Sequence, residues 1–358
     1  MPRFPSVWLV LRCLTMAQAS YAPIIATLGI FAIAMGGCAS DNGESTDTPP
    51  ALLVVAVGQP GSVLNAVGTG IAKLVTEETG TPVRVRVTSG MDAIVGAGDA
   101  ELGVSASDSA HLSSHGLRHY EGRPQRDLRL AVPGPPLMLG FLVRRDSDID
   151  ELSALEAHKV PGDYPNARPM YHDGIVMLDS VGLSWDDLDV VPVASFRDGV
   201  QAFIEGRTAA TISSVGSGMT QQADASLGGV RFLSLPRDED LSERMWRAEP
   251  GFHAVEIEAG FALGIDEDMV LAGKEVYLTA NAHADSDAVY TVVRLIWEKI
   301  DTLATVHPLF GRWSRDDMLN ARVTVPFHDG TVRFLKEQGA WTEAHDQIQQ
   351  RLLAELTD

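Results

Sequence analysis

Small hydroxyl residues recur where apolar runs end. Ser89-Gly90, Ser107-Asp108 and Ser213-Ser214-Val215-Gly216-Ser217-Gly218 each follow such a run. There a side-chain hydroxyl and an unhindered backbone can hydrogen-bond a small polar solute, or the same hydroxyl can cap the next helix. Gly58-Gln59-Pro60-Gly61-Ser62 leads straight into a helical period. Its N–H groups and the helix dipole suit a carboxylate, with Ser62, Leu64 and Asn65 the nearest side chains, although Gly and Pro also make a tight turn there without any ligand. Arg168, flanked by Pro165 and Pro169, offers a planar fork that can take a carboxylate bidentately, or else is a solvated loop residue. Tyr164, Tyr171 and His172 lie close by in sequence.

His111, His115 and His119 recur every four residues, the spacing that places ligands on one helical face. Gly116 and Ser113-Ser114 weaken that helix, so a surface strip is expected and no metal site. For catalysis the chain has no Gly-x-Ser-x-Gly elbow, no His-Glu-x-x-His, and no Gly-Lys-Ser/Thr phosphate loop. Neither enzyme chemistry nor a cofactor is expected.

These residues need a frame, and the hydropathy pattern supplies one. Leu52–Val57 reads as a strand, Val63–Thr79 as a helix, Val83–Val87 as an alternating strand, Ser89–Gly98 as a short helix and Ala100–Ser105 as a buried strand. A second set follows: strand Leu139–Val143, short helix Ile149–Ala157, a strand from His158, helix Gly174–Gly182, strand Val190–Val193, helix Arg197–Glu205 and strand Ala209–Ser213. Alternation of this kind predicts two α/β halves with mostly parallel sheets, and ligands in such folds bind beyond the carboxyl ends of the strands. Asp285–Leu303, Gly330–Gln338 and Thr342–Leu356 predict a helical C-terminus, with Trp297, Trp313 and Trp341 in its core.

The N-terminus predicts the compartment. Arg3 and Arg12 precede the uncharged apolar run 21–35, which is shorter than the roughly 20 residues a membrane-spanning helix needs. Ala34-Met35-Gly36-Gly37-Cys38 resembles the bacterial lipobox, with Met35 where Leu is usual. Residues 1–37 therefore read as a lipoprotein signal peptide and Cys38 as the lipidated residue; doubly or triply acylated, it would anchor the protein to a membrane outside the cytoplasm. The only other cysteine, Cys13, falls inside the removed segment, so no disulfide is expected in the mature chain. Residues 38–50 are polar, acidic and Pro-ended, the composition of a flexible tether. The formal net charge is −20, with no basic stripe, which argues against nucleic acid as a partner.

From Leu52 to Gly339 the order of segments resembles the TAXI family, the solute-binding subunits of one branch of TRAP transporters. The resemblance rests on the strand, Gly loop and helix of 52–75, on Gly98-Asp99-Ala100-Glu101-Leu102-Gly103, on Ile257-Glu258-Ala259-Gly260, and on Pro326-Phe327-His328-Asp329-Gly330 with Lys336-Glu337-Gln338-Gly339. It implies a two-lobed periplasmic-binding-protein type II fold with a ligand cleft between the lobes. Lobe one would be 52–138 with 269–358 and lobe two 139–268, the chain crossing near Pro136–Arg144 and Gly264–Val276. Leu64-Asn65 stands where the family usually has two tyrosines, Asn166-Ala167-Arg168-Pro169 where Gly-Ser-Gly-Thr is common, and Ala106-Ser107-Asp108 where Gln-Ser-Asp is usual.

The resemblance implies an extracytoplasmic lipoprotein that passes a small organic acid or amino acid to a TRAP-type permease. The expected contacts are Ser62, Leu64, Asn65, Ser89, Gly90, Ser107, Arg168, Ser213, Ser214 and Ser217. The same fold could instead present ligand to a membrane receptor kinase, and a lipoprotein hydrolase is the third reading.

Overall fold

The computed structural model describes residues 52–305, 308–320 and 322–357, without the side chains of 308 and 309. The expected leader, Cys38 and the tether lie outside these residues.

The first third follows the expected alternation: β1 (Leu53–Val57), α1 (Val63–Thr79), β2 (Val83–Val87), α2 (Met91–Gly96), β3 (Leu102–Ala106) and α3 (Ser107–His115). Helix α1 starts where the Ser62 hydroxyl accepts the Asn65 N–H at 3.2 Å and stops at Gly80, whose φ of 73° ends a helix at little cost. Val63, Val67, Ile71 and Val75 make its buried stripe. Gly68 lets it lie close on the sheet, since a Cβ there would come within 2.3 Å of Val57 and 2.9 Å of Val104.

The next elements are β4 (Leu128–Arg144), β5 (Lys159–Asp163), α4 (Arg168–Asp179), β6 (Asp189–Val193), α5 (Phe196–Ile204), β7 (Ala210–Ser214), α6 (Gly218–Leu227), β8 (Val230–Phe232), α7 (Leu241–Ala248), β9 (His253–Ile257) and β10 (Met269–Asn281). The chain ends with α8 (Ser286–Leu303), α9 (Asp329–Glu337) and α10 (Glu343–Glu355). In this helical end Trp297 and Tyr290 pack edge-on against Phe334, while Trp341 meets Phe327 and Trp313 is buried.

One sheet runs β2-β1-β3-β10-β4-β7, with β8 added on β4 and β9 on β10; β5 and β6 pair separately. Only β1, β2 and β3, and the β5–β6 pair, are parallel. Every strand that β4 and β10 pair with runs antiparallel to them, so the sheet is mixed rather than mostly parallel as expected. These two strands, 17 and 13 residues long, pair with each other over Leu128–Leu139 and Ala272–Asn281 and are buried almost throughout. At one end they meet β3; at the other they carry β7, β8 and β9. Between the ends, Glu275 pairs with Pro136 and Tyr277 with Pro133, so Gly134 and Pro135 together face Val276. That is a β-bulge. A Cβ on Gly134 would lie 2.6 Å from the Val276 carbonyl oxygen, which is why glycine stands there.

Several boundaries differ from expectation. The strand expected to begin at Leu139 begins at Leu128, the helix expected at Gly174 begins at Arg168, and the helix expected over Ile149–Ala157 is one 3-10 turn, Leu152–Leu155. Helices α3, α6 and α7 and strands β8, β9 and β10 were not anticipated as elements.

Candidate functional site

A cavity of about 500 Å³ opens where the two ends of the sheet face each other. Its wall comes from the loop before α1 and the start of that helix, from the ends of β2 and β3, from the middle of β4, and from the first turns of α4 and α5. Apolar side chains, among them Val63, Leu64, Leu137, Leu139, Met170 and Phe196, form much of the surface. Polar groups break it at Thr88, Ser105, Ser109, Asn166, Asp173 and Lys274. A smaller pocket of about 310 Å³ is lined by Leu52, Glu101 and the segment after β10, away from these residues.

Four of the expected contacts line the cavity: Ser62, Leu64, Ser89 and Ser214. The Ser62 hydroxyl donates to the Gln59 carbonyl at 2.7 Å while capping α1, so its own turn already holds it. Asn65 turns its amide to the Gly58 carbonyl at 2.9 Å, tying helix to loop. Gly90 precedes α2 between two lining residues. Ser107 is buried; it donates to the Gly251 carbonyl at 3.0 Å and accepts the Glu275 N–H at 3.1 Å. Ser213 and Ser217 bond Thr220 at 2.7 and 2.9 Å, fastening the start of α6.

Arg168 does not reach the cavity wall. Helix α4 begins six residues earlier than expected, and on it Pro169, Met170 and Asp173, spaced by three and four residues, share the cavity face. Arg168 falls on another side, where its guanidinium donates to the Asp163 carbonyl at 2.9 Å and covers the Tyr171 ring at 4.8 Å.

The floor holds a charge cluster that the sequence reading passed over. Lys274, on β10, is 2 % exposed. Its Nζ donates to Asp173 Oδ1 at 2.6 Å and lies 3.1 Å from each oxygen of Asp108, with the Phe252 ring at 4.9 Å. Burial pulls the ammonium pKa down, but Asp108 and Asp173 outweigh it and hold it above the usual lysine value. Burial raises Asp173 to about 6, against the pull of Lys274 and with the push of Asp108. A lone lysine inside the apolar run Met269–Asn281 was the available signal, because a buried cation must find a partner. Above it, Asp92 is buried on α2, takes the Ser105 hydroxyl at 2.8 Å and is pushed up to about 7, chiefly by burial.

Contacts join the two sides of the cavity. Arg197, in the first turn of α5, donates to the Pro60 carbonyl at 3.1 Å, and Met219 packs on Gly61. Behind the floor, Gly251 sits on the start of α3, Arg118 pairs with Glu249 at 3.4 Å, and the His119 and His172 rings stack 5.5 Å apart. His172 has no hydrogen-bond partner on either ring nitrogen, and burial lowers its pKa to about 4. The expected surface strip of histidines is therefore half-buried: the His111 and His115 rings meet on α3 at a tilt, 4.4 Å apart, and His119 stacks on His172. Among the described residues no group of His, Cys, Asp and Glu could hold a metal.

Residues 55–339 match the model of the NMT1-like family. The chain belongs to the NMT1-like family. No curated protein matches it in sequence. Among solved structures, "Structure of a periplasmic transporter" superposes with a TM-score of 0.52 at 12 % identity, covering 85 % of this chain and 97 % of that one. The alkanesulfonate-binding protein SsuA from Xanthomonas axonopodis pv. citri, bound to MOPS, gives 0.44 at 14 %, covering 86 % and 84 %. A mutant of ArgBP from T. maritima gives 0.44 at 13 %, covering 74 % and 95 %. The NMT1-like chain thus has the two-lobed fold of periplasmic binding proteins. Among the described residues no helix is long and apolar enough to cross a membrane.

Proposed function

We propose that this protein is an extracytoplasmic solute-binding protein that captures a small organic acid or amino acid and delivers it to a TRAP-type membrane permease. The observation that carries the reading is the cavity itself, walled from both ends of a sheet that β4 and β10 join and bridged at its rim by Arg197 and Pro60. A cavity of this size suits a metabolite rather than a polymer. Lobe one would comprise 52–138 with 269–358 and lobe two 139–268. The bulge at Gly134-Pro135 opposite Val276 would be the point where the shared strands bend as the lobes open. Assignment to the TAXI branch rests on the sequence segments 52–75, 98–103, 257–260, 326–330 and 336–339, by their order and spacing.

A ligand that binds only the folded, closed protein raises its melting temperature by mass action. A thermal-shift screen of small carboxylates and amino acids on the full chain should therefore find a stabilising compound. If only sugars or metal ions shift the transition, the solute class is wrong; if no compound does, the binding reading fails.

Lipid attachment at Cys38 and removal of residues 1–37 belong to the same proposal. Cys38→Ser should release the protein from membranes or block its maturation. Identical soluble fractionation of wild type and variant would remove the anchor.

A further inference from the structure

The floor of the cavity is over-supplied with negative charge. Two buried carboxylates, Asp108 and Asp173, face the single ammonium of Lys274. With all three ionised, one negative charge is in surplus. Burying an unpaired charge is costly, so the surplus calls for a proton or a cation. The two carboxylates are not equivalent. Asp108 has both oxygens 3.1 Å from Lys274, Oδ2 hydrogen-bonded to it and Oδ1 buried with no hydrogen-bond partner among the described residues, whereas Asp173 gives it only Oδ1, at 2.6 Å, and its Oδ2 accepts from no donor among the described residues. Asp173 is the one that lines the cavity, and it is 2 % exposed. Lys274 has no reach left for an anion: the two carboxylates and the Phe252 ring surround its ammonium. The rim charges are engaged as well, Arg197 with the Pro60 carbonyl and Asp198 with the Ser195 hydroxyl.

Resting on the solute-binding reading, we propose that the ligand carries a protonated amino group, which docks on Asp173 Oδ2 at the floor of the cavity. Its remaining body lies against Leu64, Leu137, Met170 and Phe196, within reach of the hydroxyls of Ser62 and Ser89. An α-amino acid with an aliphatic side chain has this distribution of groups. The arriving ammonium neutralises the surplus charge, so the same contact that identifies the ligand removes the cost of an ionised floor.

The pH behaviour follows from the groups that face Asp173: Lys274 from β10, Asp108 from α3, the Tyr164 phenol, and on its own helix His172 with His119 stacked on it. Asp173 is raised to about 6, by burial first. The ammonium needs the ionised carboxylate, so binding near that pH expels a proton and weakens as the pH falls further. Protonation of His172 or His119 at lower pH adds cations behind the floor and weakens it again.

The test compares aliphatic amino acids with their 2-hydroxy counterparts, which keep the carboxylate and side chain but lose the ammonium. On the full chain at pH 7.5, calorimetry should show at least one amino acid binding tenfold or more tighter than its hydroxy partner. That amino acid should weaken at least tenfold in Asp173→Asn and recover in part in Asp173→Glu. In wild type its affinity should drop between pH 7.5 and pH 5, with proton release detected as a dependence of the binding heat on buffer. A hydroxy acid that binds as tightly as its amino acid, or any cavity ligand without a basic nitrogen, overturns this inference and leaves the solute-binding reading standing. Binding by no compound of any class sinks both.

Discussion

Lys274 and Asp108 lie 166 residues apart in the chain, yet the ammonium of this lysine, on a strand buried almost throughout, sits 3.1 Å from the carboxylate. Their meeting, with Asp173 as the third member, fixes three elements at once: α3, α4 and β10.

Removing the cation should therefore be costly. Lys274→Met leaves two carboxylates buried and unpaired, and breaking a buried ion pair costs on the order of 3–5 kcal/mol. The penalty needs ionised carboxylates, so it is full at pH 7.5 and shrinks as Asp173 protonates below about 6. Urea unfolding at pH 7.5 and pH 5 measures both values. Equal losses at the two pH values would show that the lysine stem, rather than its charge, supports the floor.

Asp92 predicts a pH dependence of the opposite variant type. Its pKa is raised from 3.8 to about 7, by burial above all, with Asp108 adding and the Ser105 hydrogen bond opposing. Between those values the native state binds more protons at this site than the unfolded chain does, so its contribution to stability falls as pH rises and the full cost is present above about 7. Asp92→Asn removes that cost. Its melting temperature relative to wild type should increase from pH 5 to pH 8; a difference that stays flat across the range contradicts the assignment.

Gly251 tests the seam behind the cavity. Its φ is 106°, and a Cβ would lie 2.5 Å from the Asp108 nitrogen and 2.8 Å from the Ser107 carbonyl carbon. Gly251→Ala adds backbone strain to a steric overlap with α3, together on the order of 2–4 kcal/mol. A loss under about 0.5 kcal/mol in chemical unfolding, the range of an ordinary surface change, would mean that the loop moves aside freely.

Arg168 is engaged outside the cavity wall. Arg168→Ala should cost under about 1 kcal/mol of stability, the range of an exposed pair, and leave affinity for a cavity ligand within about threefold. A loss well over tenfold, the scale of a truncated buried charge partner, would return Arg168 to the site as a carboxylate clamp on closure.

The fold was most legible where local signals agree. Helices α1 and α8 have capping residues, Ser62 and Asp285, followed by long apolar stripes, and both are found within a residue of the expected bounds. Strand β4 was visible only from Leu139 because Pro133-Gly134-Pro135-Pro136 has the composition of a turn. In the fold a bulge accommodates those residues and the strand runs on. Strand β10 was hidden for the same kind of reason: Gly273-Lys274-Glu275 interrupts its apolar run, and its partners are remote in sequence.

The site was legible in outline. Ser62, Leu64, Ser89 and Ser214 do line the cavity, whereas Ser107, Ser213 and Ser217 use their hydroxyls within the fold. A serine between a strand and a helix has the same local sequence in both roles. Asp173 was out of reach because placing the start of α4 six residues late hid the face it shares with Met170.

The shared strands also order events in time. Strand β3 has β1 on one side and β10 on the other, and β4 closes against β10 along its length, so the central pairings must wait until residues 269–281 are available. Contacts so remote in sequence form slowly, because loop closure precedes any gain from pairing. A chain emerging N-terminus first therefore carries β1 to β9 without a finished central sheet, and stays uncommitted until its last quarter arrives.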